Sequence, residues 1–298
     1  MADVTAPAEN RDSLNGFLFA LSAYLLWGFL PLYMKALSHI SPAEVIAHRI
    51  LWSVPVAGLL LIILKRTDEL KKAMRNPRML GMAAVTATLI SVNWGIYVWA
   101  IGAGHALDTA LGYFINPLFS ILLGAVLLKE KLKRTQIAAL TLVVLAVVIL
   151  TVEAGRLPVV ALALTFSWGF YAFFRKTLPI GPNQGFLLEV LLLSPFAFAY
   201  LVYLNLQGGG HFLMGNMADT ILLASAGLVT AIPLILYANG AKLLRLSTIG
   251  IMQYIAPSMI FITAVFVFNE PFSMAKAVAF PLIWAALVIY TLPMLRQR

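Results

Sequence analysis

The 298-residue sequence has no cysteine, and only 11% of its residues are charged. The first absence excludes disulfides, thiolate metal sites, iron–sulfur clusters and cysteine nucleophiles. The second excludes an ordinary soluble globule, in which about a quarter of the residues carry charge. Long polar stretches are missing too. The longest connections between apolar runs, Lys65–Pro77 and Asn205–Met217, hold thirteen residues each, too few for a soluble catalytic or regulatory domain. Absent as well are a phosphate-binding Gly-rich loop, a zinc-protease helix, a Gly-x-Ser-x-Gly elbow and a carboxylate cluster, which argues against ATP hydrolysis and the common hydrolase chemistries.

What is abundant is apolar. Hydrophobic residues make up 61% of the chain and the mean hydropathy is +0.92. A 300-residue globule still needs a polar surface, so the excess points to an integral membrane protein. A hydrocarbon core about 30 Å thick takes about 20 apolar residues per helix. Ten segments meet that requirement: Leu14–Leu37, Pro42–Leu64, Arg78–Ile101, Ala106–Leu128, Thr135–Val152, Leu157–Leu178, Asn183–Leu204, Ala218–Leu243, Leu246–Phe268 and Ala275–Leu295. Their apolar runs are continuous rather than alternating, so helices are expected and not a β-barrel. Residues 1–13 read as a short polar tail and not as a signal peptide.

The net charge of +9 is distributed unevenly. Seventeen of the 21 Lys and Arg residues fall on one side of the expected topology, among them Arg11, Lys65, Arg66, Lys71, Lys72, Lys129, Lys131 and Arg298. The opposite loops hold only Arg156 and Lys276, while Lys35 ends the first span and Arg49 lies inside the second. By the positive-inside rule both termini are expected in the cytoplasm, in a multi-pass protein of the inner (plasma) membrane. The basic residues are thereby assigned to topology, and no nucleic-acid partner is implied.

The chain also repeats itself. At an offset of 140, Pro55 meets Pro195, Tyr97 meets Tyr237, Pro117 meets Pro257 and Glu130 meets Glu270. At 141, Trp27-Gly28-Phe29 meets Trp168-Gly169-Phe170, with seven identities in the eighteen positions from Ala20 to Leu37. The implied division is a tail (1–13), a first five-helix repeat (14–152), a linker (153–156) and a second five-helix repeat (157–298). An odd number of spans per repeat makes the second enter from the other face, so the fold class is all-α integral membrane, ten transmembrane helices as two inverted five-helix repeats. Such halves have inward- and outward-open packings of similar energy, the basis of alternating access; the plainer account is that duplication only builds a stable bundle.

Polar groups are costly in hydrocarbon and tend to face the bundle interior or a wet cavity. Thr86, Asn93 and Tyr97 share one helical face, and Thr109, Tyr113, Asn116 and Ser120 form a similar stripe. Tyr113 and Gln253 are equivalents at offset 140, each about one turn before the repeat-related Pro117 and Pro257, and Tyr254 follows Gln253. Trp27 and Trp168 sit near mid-span instead of at the interfaces, with Tyr24 and Tyr171 three residues away on the same faces. The expected substrate cavity therefore gathers Tyr24, Trp27, His48, Asn93, Tyr97, Tyr113, Asn116, Trp168, Tyr171, Tyr237, Gln253 and Tyr254. Its walls suit an amphipathic small metabolite, aromatic or zwitterionic. Interhelical hydrogen bonding and core packing are the competing accounts of the same residues.

Glu44 and His48, four residues apart, are two metal-type ligands without a third, so no metal is expected, and no cofactor. Arg49 and Glu189 are repeat equivalents, each about seven residues in from opposite faces. Their depths differ by about 10 Å in a core about 30 Å thick, so a direct ion pair is not expected, and either snorkels or serves a gate. There is no buried Asp relay, and proton coupling through His48 or Glu189 stays open.

The motifs Gly112-Tyr113-Phe114-Ile115-Asn116-Pro117-Leu118 and Gln253-Tyr254-Ile255-Ala256-Pro257, followed by Glu130 and by Phe268-Asn269-Glu270-Pro271 at the same Pro-to-Glu spacing of 13, resemble the EamA family of the drug/metabolite transporter superfamily, RarD-type branch. The resemblance covers the whole chain. It implies ten helices in two inverted repeats, a cavity lined mainly by spans 1, 3, 4, 6, 8 and 9, and peripheral spans 5 and 10. Members move amino acids, nucleotide sugars, sugar phosphates and drugs, and the bacterial branch includes exporters of aromatic and other neutral amino acids. A phosphate-bearing solute would want several basic residues in the cavity, and Arg49 is the one available. The expectation is a non-enzymatic exporter of small metabolites, amino acids first, with lipid and a small-molecule substrate as its partners and no obligate protein partner. Multidrug efflux through the same aromatic cavity is the alternative, and a membrane enzyme or a scaffold is a more distant one.

Overall fold

The computed structural model describes residues 13–127, 129, 131–214, 216–244, 248–249 and 252–296. Glu130, Arg11, Arg245 and Arg298 lie outside the described residues, and so does most of the tail. Within them every regular element is helical. The order is α1 Leu14–Ala36, α2 Pro42–Ile63, α3 Thr67–Met74, α4 Pro77–Gly102, α5 Ala106–Leu127, α6 Arg134–Ala154, α7 Val159–Thr177, α8 Pro182–Leu206, α9 Met217–Lys242, α10 Ile255–Ile262 and α11 Met274–Arg296. A π-helical turn, Thr263–Val267, extends α10. Eight of these helices contain stretches long and apolar enough to cross a membrane. Two shorter apolar stretches, Val159–Arg175 and Ile255–Val267, supplement them.

The helices begin where local chemistry supplies acceptors for their orphan N–H groups. Ser13 accepts from the Gly16 N–H at 3.0 Å, and Ser41 from the Glu44 N–H at 3.2 Å. Asn76 accepts from the N–H groups of Arg78 and Met79 at 3.0 and 3.2 Å, with Pro77 opening the helix. The N-terminus of α5 is capped from a distance. The buried Glu270 carboxylate takes the Ala106 N–H at 2.7 Å and the Leu107 N–H at 2.9 Å, tying the segment after α10 to the start of α5.

The outer surface is apolar. Ile62, Val152, Phe196 and Leu206 are all more than 60% exposed, an arrangement that water would punish and lipid accepts. Inside, backbones approach closely through glycines. A Cβ at Gly227 would stand 2.2 Å from the Trp52 backbone, locking α9 against α2. One at Gly112 would stand 2.7 Å from the Ala161 carbonyl, where α5 meets α7. Small residues also make the seam between α6 and α11: Ala139, Val143, Ala146 and Leu150 face Ala275, Ala279, Ile283 and Ala286 in one buried cluster. In hydrocarbon this close fit is what holds helices together, because no hydrophobic drive separates side chain from solvent there.

Two expectations change. The connection Lys65–Pro77 contains a short helix, α3, because Asp68 and Glu69 sit in its first turn and Lys71 and Lys72 in its last, with Leu70 and Ala73 buried beneath. The ninth apolar segment, expected to be helical from Leu246, is helical at Thr248, Ile249 and Met252, is interrupted by a turn at Gln253 and Tyr254, and resumes as α-helix at Ile255. Pro257 has no N–H to return to the Gln253 carbonyl, so the helix starts afresh just before it.

Gly227→Val should fail to give a monodisperse detergent-solubilised protein by size-exclusion chromatography. Gly81→Val, at a site with open space around it, should elute like the parent chain. Glu270→Gln converts an acceptor into a group that also presents N–H to two backbone donors. It should destabilise the protein by about 1–3 kcal/mol, read as a lowered midpoint in thermal unfolding.

Candidate functional site

The inner helices enclose a cavity of about 180 Å³, far above the roughly 10–15 Å³ that admits a single water. Ten of the twelve residues singled out from the sequence line it: Tyr24 and Trp27 from α1, Asn93 and Tyr97 from α4, and Tyr113 and Asn116 from α5, together with Trp168 and Tyr171 from α7, Tyr237 from α9, and Gln253 ahead of α10. Among the described residues, none of α6 or α11 reaches this lining.

The aromatic rings form two groups. Tyr24, Trp27 and Tyr237 meet at centroid distances of 5.6–5.9 Å, mostly edge to face. Across the cavity Tyr97 contacts Tyr113 at 5.9 Å, Tyr113 contacts Trp168 at 6.5 Å, and Trp168 contacts Tyr171 at 5.6 Å. These separations fall in the range where ring quadrupoles attract, so the walls hold their shape without a bound solute.

Neutral polar groups supply the remaining lining. Asn93 donates to the Leu164 carbonyl at 3.2 Å and to the Ser167 hydroxyl at 3.0 Å, and its own oxygen accepts from the Tyr113 hydroxyl at 3.4 Å. It both joins α4 to α7 and presents a polar edge. By contrast Thr86, Thr109 and Ser120 spend their hydroxyls on backbone carbonyls of their own helices, of Ala83, Ala106 and Asn116, and do not line the cavity. The stripes therefore divide into cavity groups and groups satisfied within the helix.

His48 and Tyr254 stand apart from this cavity. Successive helical residues point about 100° from each other. With Arg49 turned inward, His48 faces α8 and the loop after it. There its Nδ1 accepts from the Trp52 indole N–H at 3.3 Å and its ring lies 4.9 Å from that of Phe212. Beside Gln253, Tyr254 packs on the apolar cluster shared by α5, α6 and α11. Glu44 and His48 do not converge on one point. The Glu44 carboxylate accepts from the backbone N–H of His211 at 2.7 Å and pairs with its Nδ1 at 2.8 Å.

Arg49 is not among the twelve residues gathered from the sequence, where it is the one available cation and is expected to snorkel or serve a gate. It is 3% exposed, so it does not snorkel, and it lines the cavity. Its Nε donates to Thr230 Oγ1 at 3.0 Å, and its guanidinium carbon lies 4.8 Å from the Trp94 ring centroid. Glu189 is engaged elsewhere, by Arg175 Nε at 3.3 Å and by the Tyr171 hydroxyl at 3.2 Å, so Arg49 and Glu189 form no pair, as their depths required. The signal for Arg49 was in the sequence: a mid-span cation with no acid one turn away on its own helix.

Comparison with known proteins places this geometry. The EamA-like transporter family matches residues 14–152. Protein RarD of Streptomyces exfoliatus is 40% identical over 97% of this chain and 91% of its own. An uncharacterized transporter of Vibrio cholerae is 39% identical over 95% and 94%, and protein RarD of Escherichia coli K12 is 37% identical over 95% and 96%. A protein of known crystal structure, 19% identical, superposes with a TM-score of 0.60 over 95% of this chain and 98% of its own, a likeness of fold. At such identities over nearly the whole length, the chain belongs to the EamA-like transporter family, among its RarD-type membrane transporters.

Proposed function

We propose that this transporter is a secondary carrier of the inner (plasma) membrane that exports small metabolites, chiefly amino acids including aromatic and other neutral ones, by alternating access. The observation that carries the reading is the chamber between the two aromatic groups. Its π faces receive an apolar or aromatic side group, and its amide and hydroxyl groups orient the polar end. The chain acts as a carrier and not as an enzyme, and needs no cofactor and no obligate protein partner.

Alternating access requires two halves that can exchange packings, and several contacts support a pair of inverted five-helix repeats at 14–152 and 157–298. Gly28 of α1 abuts Met259 of α10, and Gly169 of α7 abuts Phe119 of α5; these residues correspond at offsets of 141 and 140. Lys129 and Asn269, 140 apart, share the left-handed backbone region at φ 56° and 53°. The α6–α11 seam is built from equivalent positions, Ala139 with Ala279 and Ala146 with Ala286. Opposed halves of this kind rock about a midplane site. The basic loops then lie in the cytoplasm with both termini.

Counterflow in liposomes tests the substrate class, with labelled phenylalanine, leucine and a lipophilic cation offered in turn. Amino-acid flux is the expected result; flux of the cation alone would replace this reading with drug efflux. Trp27→Ala, Trp168→Ala and Gln253→Ala should each cut the initial rate about fivefold or more at low solute concentration, with expression intact. Normal transport by all three would remove the chamber from the pathway.

Because the chain has no native cysteine, topology can be read with single cysteines. Ala2→Cys, Asp68→Cys and Gln297→Cys should react with an impermeant maleimide only from the cytoplasmic face. Arg156→Cys and Met214→Cys should react only from outside. Ala2 and Gln297 on opposite faces would refute the inverted repeat.

A further inference from the structure

The chamber holds one formal charge without a counter-charge. Among the described residues, no Asp or Glu lines it, and Arg49 is its single cation. A guanidinium stays charged under all ordinary conditions, so burial cannot be relieved by losing a proton. The protein meets the cost in part, through the Thr230 hydroxyl and the face of Trp94. Arg49 Nη1 is left buried with no hydrogen-bond partner among the described residues, and the Tyr97 hydroxyl and Asn116 Oδ1 are left in the same condition. Buried polar atoms of native proteins are normally paired, so three orphans around one chamber call for a ligand. They comprise two donors, one of them charged, and one acceptor.

We propose that Arg49, with the Tyr97 hydroxyl, is the docking point for a carboxylate on the transported solute, and that Asn116 Oδ1 accepts from its amino group. The solute class is a small monocarboxylate with an apolar or aromatic side group, the α-amino acids foremost. This rests on the reading that the chamber carries the solute, and it adds what that chamber recognises. A single guanidinium matches one negative charge and can hold both carboxylate oxygens through parallel N–H groups. A phosphate monoester would bring a second charge with no cation to meet it, and a lipophilic cation would meet repulsion. The acidic residues nearest in sequence pattern are already used: Glu189 by Arg175 and Tyr171, and Glu44 by His211.

The test compares acid with amide. Purified full-length protein in nanodiscs is titrated with L-phenylalanine, 3-phenylpropionate, L-phenylalaninamide and tetraphenylphosphonium, with thermal stabilisation as the readout. Counterflow of labelled phenylalanine is measured on the same purified protein reconstituted into liposomes. The expected result is stabilisation by both carboxylates, with the amide weaker by about tenfold or more. Arg49→Gln should bring acid and amide within about twofold of each other, and Arg49→Lys should keep part of the preference. Equal binding of acid and amide by the unmodified protein overturns the assignment, and that comparison needs no variant to fold. So does a preference that survives in Arg49→Gln. Phenylalanine flux without acid preference would sink the Arg49 site and leave the carrier. Acid-selective binding without any flux would do the reverse, and a panel that neither binds nor moves would overturn both.

Discussion

Hydrocarbon leaves no polar group unattended, and nearly every feature of this molecule answers to that constraint. The backbone is satisfied by helices. Side-chain hydroxyls on inner faces close onto carbonyls of their own helices, as in Thr86 and Thr109. The buried N-terminus of α5 is met by a carboxylate brought from Glu270, more than 160 residues away in sequence. Arg49 Nη1, the Tyr97 hydroxyl and Asn116 Oδ1, which have no hydrogen-bond partner among the described residues, belong to residues that line the chamber. The chamber is thus a consequence of the same rule that makes the exterior apolar.

The same constraint explains how the helices cohere. Without water there is little to gain from hiding one Leu behind another, so association depends on how closely backbones approach. Gly227 against Trp52 and Gly112 against Ala161 set two of the tightest crossings, and both lie between helices that also line the chamber. The cavity walls are positioned by contacts outside the cavity. The paired α6 and α11, none of whose described residues is in the lining, brace α5 from behind.

Much of this was legible in the sequence, because hydropathy and repetition are one-dimensional signals. Apolar runs located every long helix, and the mid-span Trp27 and Trp168 pointed to the chamber. Less was legible where adjacent residues face different ways. His48 and Arg49 are neighbours, and the choice of which turns inward depends on α2 being rotated by its packing on α8 and α9. Gln253 and Tyr254 pose the same problem, resolved by the restart of α10 near Pro257. The helix at Thr67–Met74 escaped notice because eight residues are too short for a periodic signal to stand out from a loop.

Arg49 and Glu189, 140 residues apart, are met by the protein in different ways. Both are buried. On Glu189 the protein supplies a cation, made room for by Gly185, where a Cβ would stand 2.0 Å from the Arg175 guanidinium. On Arg49 it supplies a hydroxyl and an aromatic face and stops there. An ion pair sealed within the protein offers a solute nothing, whereas a cation met only by neutral groups retains most of its attraction for an anion. The chamber is therefore electrically one-sided, with Arg49 the single charged group in its lining among the described residues.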